Sequence, residues 1–180
     1  AGWPLSESGS AGGSFLYHIE DSQVVVGLIT DLSYSNPHVS PFDEFQRFKH
    51  HPIAKQYLEG GERVSYGARA LVKGGIQSLP KMTFPGGLLI GDNAGTMNFA
   101  KIKGSHTAMK SGMVAAEVIA KALGEERSND ELVEYTAEYR ASWAWQELHA
   151  QRNFGPAQHK WGNLLGSAYA FIDINLFNGK

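Results

Sequence analysis

The sequence predicts a mixed α/β protein in two lobes, an antiparallel sheet with short helices followed by a strand-turn-helix unit and a helical tail. Two β-rich runs lie at 14–19 and 23–32, and two long helical patterns lie at 104–123 and 128–150. Between them, Leu88-Leu89-Ile90 is a continuous apolar run, typical of a strand buried on both faces of a parallel sheet. We therefore expect three parts, residues 1–80, 81–127 and 128–180.

The composition is that of an ordinary globular protein, with 42% hydrophobic and 19% charged residues in a chain of 180. A net charge of −2 with both signs scattered argues against a nucleic-acid partner. The chain has no cysteine, which excludes disulfides and cysteine-ligated zinc or iron–sulfur sites within these residues. It opens on Ala1-Gly2 and has no basic-then-apolar signal pattern, so we expect it to be a processed or excised piece.

The first lobe begins with a small-residue stretch at 6–13, which we expect to be a flexible loop. The two β-rich runs then form a hairpin around Glu20-Asp21-Ser22. Further on, Ser40 precedes Pro41 with Asp43 and Glu44 in the next turn, which predicts a helix start.

Phe42, Phe45 and Phe48 are expected to form the buried face of that helix. The run His50-His51-Pro52 ends it, and a short helix to about Leu58 follows.

Arg63–Leu71 is predicted to be another strand, and Pro85-Gly86 is predicted to be a turn between Met82–Phe84 and Gly87–Gly91. A helix is expected from about Gly104, with Gly124 as its stop signal. Its apolar stripe is expected to contain Met109, Met113, Ala116, Ile119, Ala120 and Leu123.

Ser128 and Glu131 have the spacing of a capping box for the last long helix. The segment 161–177 is strongly apolar, with Asp173 as its only charged residue. It predicts either a buried core or docking element, or a monotopic membrane patch with Trp161 and Tyr169 as interfacial residues.

The stretch around Gly91-Asp92 carries the strongest chemical signal. A strand that ends in Gly-Asp places a carboxylate at the edge where cofactors lie in open α/β folds. An acceptor-only carboxylate can hold a ribityl hydroxyl, and the unpaired N–H groups of the helix after Gly104 suit an electron-rich carbonyl or a phosphate. From spacing alone, an ordinary strand-loop-helix turn with Asp92 as a local cap is equally consistent.

Several long blocks, in order, resemble the family of electron transfer flavoprotein–ubiquinone oxidoreductases. The resemblance covers about residues 2–155 and weakens after that. The matching blocks are Gly12–His18 (GGSFLYH), Asn36–Pro52 (NPHVSPFDEFQRFKHHP), Leu58–Ala70 (LEGGERVSYGARA), Gly74–Pro80 (GGIQSLP) and Gly86–Gly112 (GGLLIGDNAGTMNFAKIKGSHTAMKSG).

The resemblance implies that residues 1–80 form a ubiquinone-binding lobe and that 81–127 form the C-terminal part of a Rossmann-like FAD-binding domain. By the same resemblance, Gly91 and Asp92 contact the ribityl and pyrophosphate region of FAD, while the backbones of Gly12 and Gly13 meet the quinone head group. Without the resemblance, Gly12 and Gly13 fit a mobile loop. The helix start implied to approach the isoalloxazine ring consists of Gly104, Ser105, His106 and Thr107.

The implied activity is transfer of electrons from reduced electron transfer flavoprotein, through FAD and a 4Fe-4S cluster, to ubiquinone. The cluster ligands and the first FAD motif would lie outside this chain, so we expect the chain alone to hold neither cofactor tightly and to be inactive. The family's setting implies a peripheral, monotopic protein at the cytoplasmic face of a bacterial inner membrane or the matrix face of the mitochondrial inner membrane. No residue is a convincing general acid for the quinone.

Three alternatives stay open on sequence grounds. One is another flavin-dependent oxidoreductase of the same fold, such as a geranylgeranyl-reductase-like or halogenase-like enzyme. A nitrogen-fixation-linked relative of the main family would share almost every motif. The third is a non-catalytic membrane or partner scaffold.

Other conspicuous residues have simpler explanations. Adjacent His50 and His51 do not share a helix face, which argues against a metal site. Trp143 and Trp145 are typical of packing. The remaining basic residues are interpreted as surface, ion-pair or charge-balancing groups: Arg69, Lys73, Lys101 and Lys103.

Overall fold

The computed structural model describes residues 2–179, and the chain forms two compact units, residues 1–67 and 68–180. The first unit holds an antiparallel hairpin and two short helices, and the second is mainly helical with one two-stranded hairpin. The mixed α/β class predicted from the sequence is confirmed. The three-part division of the chain stays a prediction.

The hairpin of the first unit pairs β1 (Gly12–Ile19) with β2 (Gln23–Thr30), in a register that runs from Gly12 opposite Thr30 to Ile19 opposite Gln23. Its turn uses positive φ angles at Asp21 (56°) and Ser22 (58°), which short polar side chains tolerate best. Both predicted strands and their turn are confirmed.

Helix α1 (Pro41–Lys49) begins as predicted, because the Ser40 side chain accepts a hydrogen bond from the Asp43 amide at 3.2 Å. Helix α2 (Pro52–Leu58) is also confirmed. The expectation of a buried Phe42 is wrong, since its side chain is 69% exposed while Glu44 is buried. A three-residue step turns about 300° around a helix, so phenylalanines at that spacing drift about 60° per step and leave the buried face.

The strand expected at Arg63–Leu71 is wrong. Residues 61–73 have no regular structure, and the Val64 and Tyr66 side chains are 77% and 88% exposed. A strand is stable only where a neighbour satisfies its backbone hydrogen bonds. Among residues 2–179 no strand pairs with this segment.

In the second unit, β3 (Thr83–Phe84) and β4 (Gly87–Leu88) form a tight antiparallel hairpin around Pro85-Gly86. The turn was predicted, but the expectation of a doubly buried parallel strand at Leu88–Ile90 is wrong. The strand ends at Leu88, and Ile90 is 42% exposed. A parallel strand needs parallel neighbours, and the described residues supply none.

After the short helix α3 (Gly91–Ala94), the long helix α4 (Ser105–Gly124) confirms the predicted helix and its end. Its buried face differs from the predicted stripe, because Met109 (66%), Met113 (56%) and Leu123 (65%) are exposed. The residues that α4 buries are smaller or polar: Thr107, Ser111, Val114, Ala115, Val118 and Ala122. Small side chains on this face let the neighbouring helices approach closely.

The helix predicted for 128–150 is two helices, α5 (Glu134–Ala141) and α6 (Trp143–Ala150). Ser142 is extended (ψ 156°) and its side chain accepts a hydrogen bond from the Trp145 amide, so it begins α6. The predicted capping box is wrong, because Glu131 accepts hydrogen bonds from Thr83 Oγ1 at 2.7 Å and Lys81 Nζ at 2.9 Å instead.

Helix α7 (Phe154–Ile172) is interrupted at Gly162 (φ 69°) and continues into a π-helical turn, Asp173–Phe177. Gly166 lies against the Ala157 carbonyl, where a Cβ atom would be 2.7 Å from the oxygen. The second half of α7 therefore packs closely on the first half. The core of the unit consists of Met82, Ala94, Val114, Ala115, Val118, Tyr135, Tyr139 and Ala144.

Candidate functional site

The Gly91-Asp92 turn lies against α4. The Gly91 amide donates a hydrogen bond to Ser111 Oγ at 2.8 Å. Gly91 has a φ of 56°, and a Cβ atom there would be 3.2 Å from the Ala108 Cβ, so glycine permits both the turn and the contact. This contact brings the predicted ligands Gly91 and Asp92 against the helix that carries Ser105, His106 and Thr107 and that Gly104 precedes.

Asp92 is half-buried at the start of α3. Within residues 2–179, its carboxylate has no ion pair or side-chain hydrogen bond. An unpartnered carboxylate beside a glycine turn is available to accept hydrogen bonds from a ligand hydroxyl. The chemistry of this side chain therefore fits the predicted ribityl contact.

Gly104 is the residue before α4, and it provides no side-chain cap for the first N–H groups of the helix. Ser105 is exposed, whereas Thr107 is fully buried and its hydroxyl donates to the Gly104 carbonyl at 2.9 Å. The space beside Gly104 is partly filled, because a Cβ atom there would be 3.3 Å from Met97 Cγ. The first turn therefore offers backbone donors and Ser105, while Thr107 stabilises the turn.

His106 takes part in a cluster centred on Glu147 of α6. Its Nε2 lies 2.7 Å from Glu147 Oε1, and its ring stacks on Trp143 with centroids 5.8 Å apart and an interplanar angle of 13°. Glu147 also accepts hydrogen bonds from Asn98 Nδ2 at 2.6 Å and Lys101 Nζ at 2.9 Å. This carboxylate thus joins α6, the loop before α4 and the first turn of α4.

Opposing effects act on the pKa of Glu147. Partial burial raises it, but the hydrogen bonds from His106, Lys101 and Asn98 and the charge of Lys101 outweigh burial and lower the pKa to about 2. Glu147 is therefore ionised at neutral pH and acts as an acceptor only.

In the first unit, Gly12 and Gly13 lie at the start of β1 rather than in the predicted flexible loop. A Cβ atom at Gly12 would be 2.0 Å from the Ile29 carbonyl oxygen, whereas one at Gly13 would meet nothing within 4 Å. The two glycines therefore have different physical roles. Gly12 allows the strands to pair closely, and Gly13 leaves the space at its Cβ position empty.

An open groove of about 590 Å³ begins one residue after Gly13. It is predominantly aromatic and lies along β1 and α2. Among its side chains, Trp3 contacts His51 with ring centroids 5.2 Å apart, and His18 meets Tyr57 edge-on at 5.4 Å. The lining residues are Trp3, Ser14, Phe15, Leu16, His18, Phe48, His51, Ile53, Ala54 and Tyr57.

The apolar segment 161–177 is exposed along α7 and the π-helical turn, with Leu164 at 84%, Phe171 at 70% and Leu176 at 75%. Its only charged residue, Asp173, is buried and accepts a hydrogen bond from Asn153 Nδ2 at 3.1 Å. The exposed surface of this segment is therefore free of formal charge. None of the helices in residues 2–179 is long and apolar enough to span a bilayer.

Sequence reasoning located Gly91, Asp92 and residues 104–107, but it missed the partners that hold them. Glu147 is 41 residues away from His106, and no motif links the two positions. Ser111 was not among the predicted site residues, although its hydroxyl accepts a hydrogen bond from the Gly91 amide. In the described part of the chain, no three His, Asp or Glu side chains are grouped as a metal site.

Comparisons with known proteins identify the family to which the chain is similar. Residues 1–71 match the family model described as ETF-QO, ubiquinone-binding. The chain is 66% identical, over its full length, to the electron transfer flavoprotein-ubiquinone oxidoreductase of Pseudomonas aeruginosa, of which it covers 33%. It is 57% identical to the probable enzyme of that name from Acinetobacter baylyi (98% of this chain, 34% of the relative) and 54% identical to the mitochondrial one from Rattus norvegicus (98% and 29%). The chain therefore spans about a third of the length of these relatives. With near-complete coverage of the chain at these identities, it belongs to the electron transfer flavoprotein–ubiquinone oxidoreductase family.

Proposed function

We propose that this chain carries the quinone-binding surface and part of the FAD site of an oxidoreductase. The whole protein would pass electrons from reduced electron transfer flavoprotein, through FAD and a 4Fe-4S cluster, to ubiquinone. The match of residues 1–71 to a ubiquinone-binding family model and the names of the relatives support this proposal.

The observation that carries the quinone proposal is the empty space at the Cβ position of Gly13, one residue before the aromatic groove begins. A planar head group can approach a backbone N–H or C=O closely only where no side chain intervenes. Aromatic side chains beside it would contact the ring or an apolar chain. In this proposal Gly12 keeps β1 and β2 close together, and Gly13 meets the quinone.

For FAD, the residues proposed to hold the cofactor are Gly91, Asp92 and the amino end of α4, which consists of Gly104, Ser105, His106 and Thr107. These polar groups fit the cofactor: the unpartnered carboxylate can accept a hydrogen bond from a hydroxyl, and the unpaired helix N–H groups can donate to a carbonyl or phosphate. When bound, FAD supplies the electron-transfer chemistry. Asp92 would orient the ribityl chain, Ser105 and the first-turn amides would bind the ring edge, and Thr107 would keep that turn in place through Gly104.

The chain has no cysteine, so the proposed cluster would be ligated by residues beyond these 180. With the first FAD motif also absent, we propose that this chain alone binds FAD weakly and does not turn over. A purified chain that keeps stoichiometric yellow flavin would contradict this part of the proposal.

We also propose that the exposed apolar surface of 161–177 contacts a lipid surface in a monotopic manner. The inward position of Asp173 favours this, because lipid contact is costly for a charge and favourable for large apolar side chains. The protein would then lie at the cytoplasmic face of a bacterial inner membrane or the matrix face of the mitochondrial inner membrane.

The quinone proposal is tested by titrating the chain with decylubiquinone and following intrinsic fluorescence or amide NMR shifts. Replacing Gly13 with Ala should weaken binding about tenfold, the equivalent of one lost hydrogen bond of about 1.4 kcal/mol. Gly67→Ala is the matched control, since Gly67 also has open space around its Cβ position and lies outside the groove. Equal binding by the wild type and Gly13→Ala would refute the assignment of Gly13.

Other flavin-dependent oxidoreductases of this fold, geranylgeranyl-reductase-like or nitrogen-fixation-linked, are the competing enzymes. Reduction of decylubiquinone by the full-length protein, with electrons from reduced electron transfer flavoprotein, separates the geranylgeranyl-reductase-like enzymes from the proposed activity. A non-catalytic scaffold would show neither reduction nor quinone binding.

A further inference from the structure

Glu147 is the residue at which three separate segments of the second unit meet. It lies on α6 and accepts hydrogen bonds from the loop before α4 through Asn98 and Lys101, and it contacts the first turn of α4 through His106. Asn98 is 1% exposed, so this is more than a surface ion pair. Removal of the carboxylate would leave the Asn98 amide buried without a partner.

The chemistry of the carboxylate determines which nitrogen of His106 carries a proton. An ionised carboxylate can only accept, so the His106 Nε2 atom at 2.7 Å must be the protonated one. The other ring nitrogen, Nδ1, has no hydrogen bond within residues 2–179. When the imidazole is neutral, Nδ1 therefore presents a lone pair.

The orientation of the ring is fixed from a second direction by Trp143. Trp143 and Glu147 are four residues apart on α6 and so share one face of that helix. Glu147 contacts the Nε2 edge of the His106 imidazole, and Trp143 covers the face of that ring. The His106 and Trp143 rings are nearly parallel, with an interplanar angle of 13°. Two contacts from a single rigid helix leave the ring little freedom to rotate.

We propose that Glu147 is a positioning residue that fixes the His106 imidazole in its Nε2–H form at the amino end of α4, so that Nδ1 is the ring atom presented to a bound flavin. The inference rests on the proposed FAD site and names the side chain that prepares it. A neutral Nδ1 accepts a hydrogen bond, so the group it fits is a ring N–H rather than a carbonyl. Glu147 itself does not touch the flavin.

The first measurement needs no cofactor. Long-range ¹H–¹⁵N NMR of the histidine-labelled chain, at a pH where the imidazole is neutral, reports which ring nitrogen bears the proton. The wild type and the control Glu138→Gln, an exposed glutamate on α5, should show His106 as the Nε2–H tautomer. Glu147→Leu should show a mixture of both tautomers, and Glu147→Gln should show a weaker preference than the wild type, which keeps the test open if the leucine variant does not fold.

The second measurement adds FAD at millimolar concentration and follows the His106 ring nitrogens. In the wild type and Glu138→Gln, the Nδ1 signal should shift on titration, and in the Glu147 variants this shift should shrink or move to both nitrogens. An unchanged tautomer in the Glu147 variants overturns the positioning role. A fixed tautomer with no FAD-induced shift in the wild type overturns the proposed flavin site instead, so the two failures are distinguishable.

Discussion

The Gly91 amide and Ser111 Oγ are joined by a buried hydrogen bond of 2.8 Å, which ties the Gly-Asp turn to the second turn of α4. The same hydroxyl donates to the Ala108 carbonyl at 2.7 Å, so both of its hydrogen-bonding roles are in use. The position of Asp92 relative to the amino end of α4 depends on this contact. Stability measurements can therefore test the geometry of the candidate site without any ligand.

Replacing Ser111 with Ala should lower the free energy of unfolding by about 1–3 kcal/mol, because it leaves the Gly91 amide buried and unpaired. Ser111 is fully buried, so water cannot replace the hydroxyl without rearrangement. Urea unfolding followed by circular dichroism measures the loss. The control is Ser128→Ala, an exposed serine that does not cap a helix, and it should stay within about 0.5 kcal/mol of the wild type.

Two glycine-to-alanine changes should have opposite effects on the stability of the chain. At Gly91, alanine must adopt a φ of 56° with its Cβ 3.2 Å from Ala108, which should cost about 1–3 kcal/mol. At Gly112, inside α4 with open space around it, alanine should stabilise the chain by about 0.5–1 kcal/mol. Thermal unfolding of the two variants gives the comparison, and a neutral Gly91→Ala would mean that the turn differs from the one described.

The ion pairs of Glu147 should make stability depend on pH in a defined acid range. Its pKa in the folded chain is about 2, below the ordinary value of 4.5, so its contribution is complete above about pH 4.5 and is lost as the pH falls toward 2. The difference in unfolding free energy between the wild type and Glu147→Gln should therefore be constant above pH 5 and shrink below about pH 4.5. Urea titrations at a series of pH values measure it, and a difference that grows on acidification would contradict the prediction.

Gly12 should tolerate no side chain. Alanine there would place its Cβ 2.0 Å from the Ile29 carbonyl oxygen, a backbone atom that can move only if β1 and β2 separate. We expect a loss of about 1–3 kcal/mol or more, with loss of cross-strand nuclear Overhauser effects at the Gly12 end of the hairpin. Gly67→Ala, which meets nothing within 4 Å, should leave these signals unchanged.

The proposed lipid contact is tested by flotation of the chain with vesicles of phosphatidylcholine and phosphatidylglycerol. Changing Leu164, Leu165 and Phe171 to Asp should abolish flotation, because each aspartate places a charge on the exposed apolar surface. The control changes three exposed apolar residues of α4, namely Met109, Met113 and Leu123, to Asp. Flotation that survives the first triple change, or is lost only with the second, would refute contact through α7.

Local signals in the sequence were sufficient for much of the fold. The Ser40-Pro41 start of α1, the hairpin turn at Glu20–Ser22 and the Gly124 end of α4 are each determined by a few adjacent residues, and all are confirmed. The failures depend on partners that are distant in sequence. Glu131 binds Thr83, 48 residues away, and so does not cap a helix with Ser128.

In the candidate site too, the residues with local sequence signals were predicted and their distant partners were not. The Gly91-Asp92 turn and the amino end of α4 were found because glycine and helix-start patterns are short-range. The carboxylate that contacts His106 and the hydroxyl that binds Gly91 could not be found, because their proximity depends on how α6 packs on α4 and how α3 packs on Ser111. Helix packing of this kind leaves no fixed spacing in a sequence.

The inward position of Asp173 has a consequence for how the α7 surface would attach. Since its carboxylate accepts a hydrogen bond from Asn153 and no other residue between 161 and 177 is charged at neutral pH, attachment through this segment involves no counterion release. Such attachment should persist in concentrated sodium chloride, strengthen in sulfate, and yield to detergent.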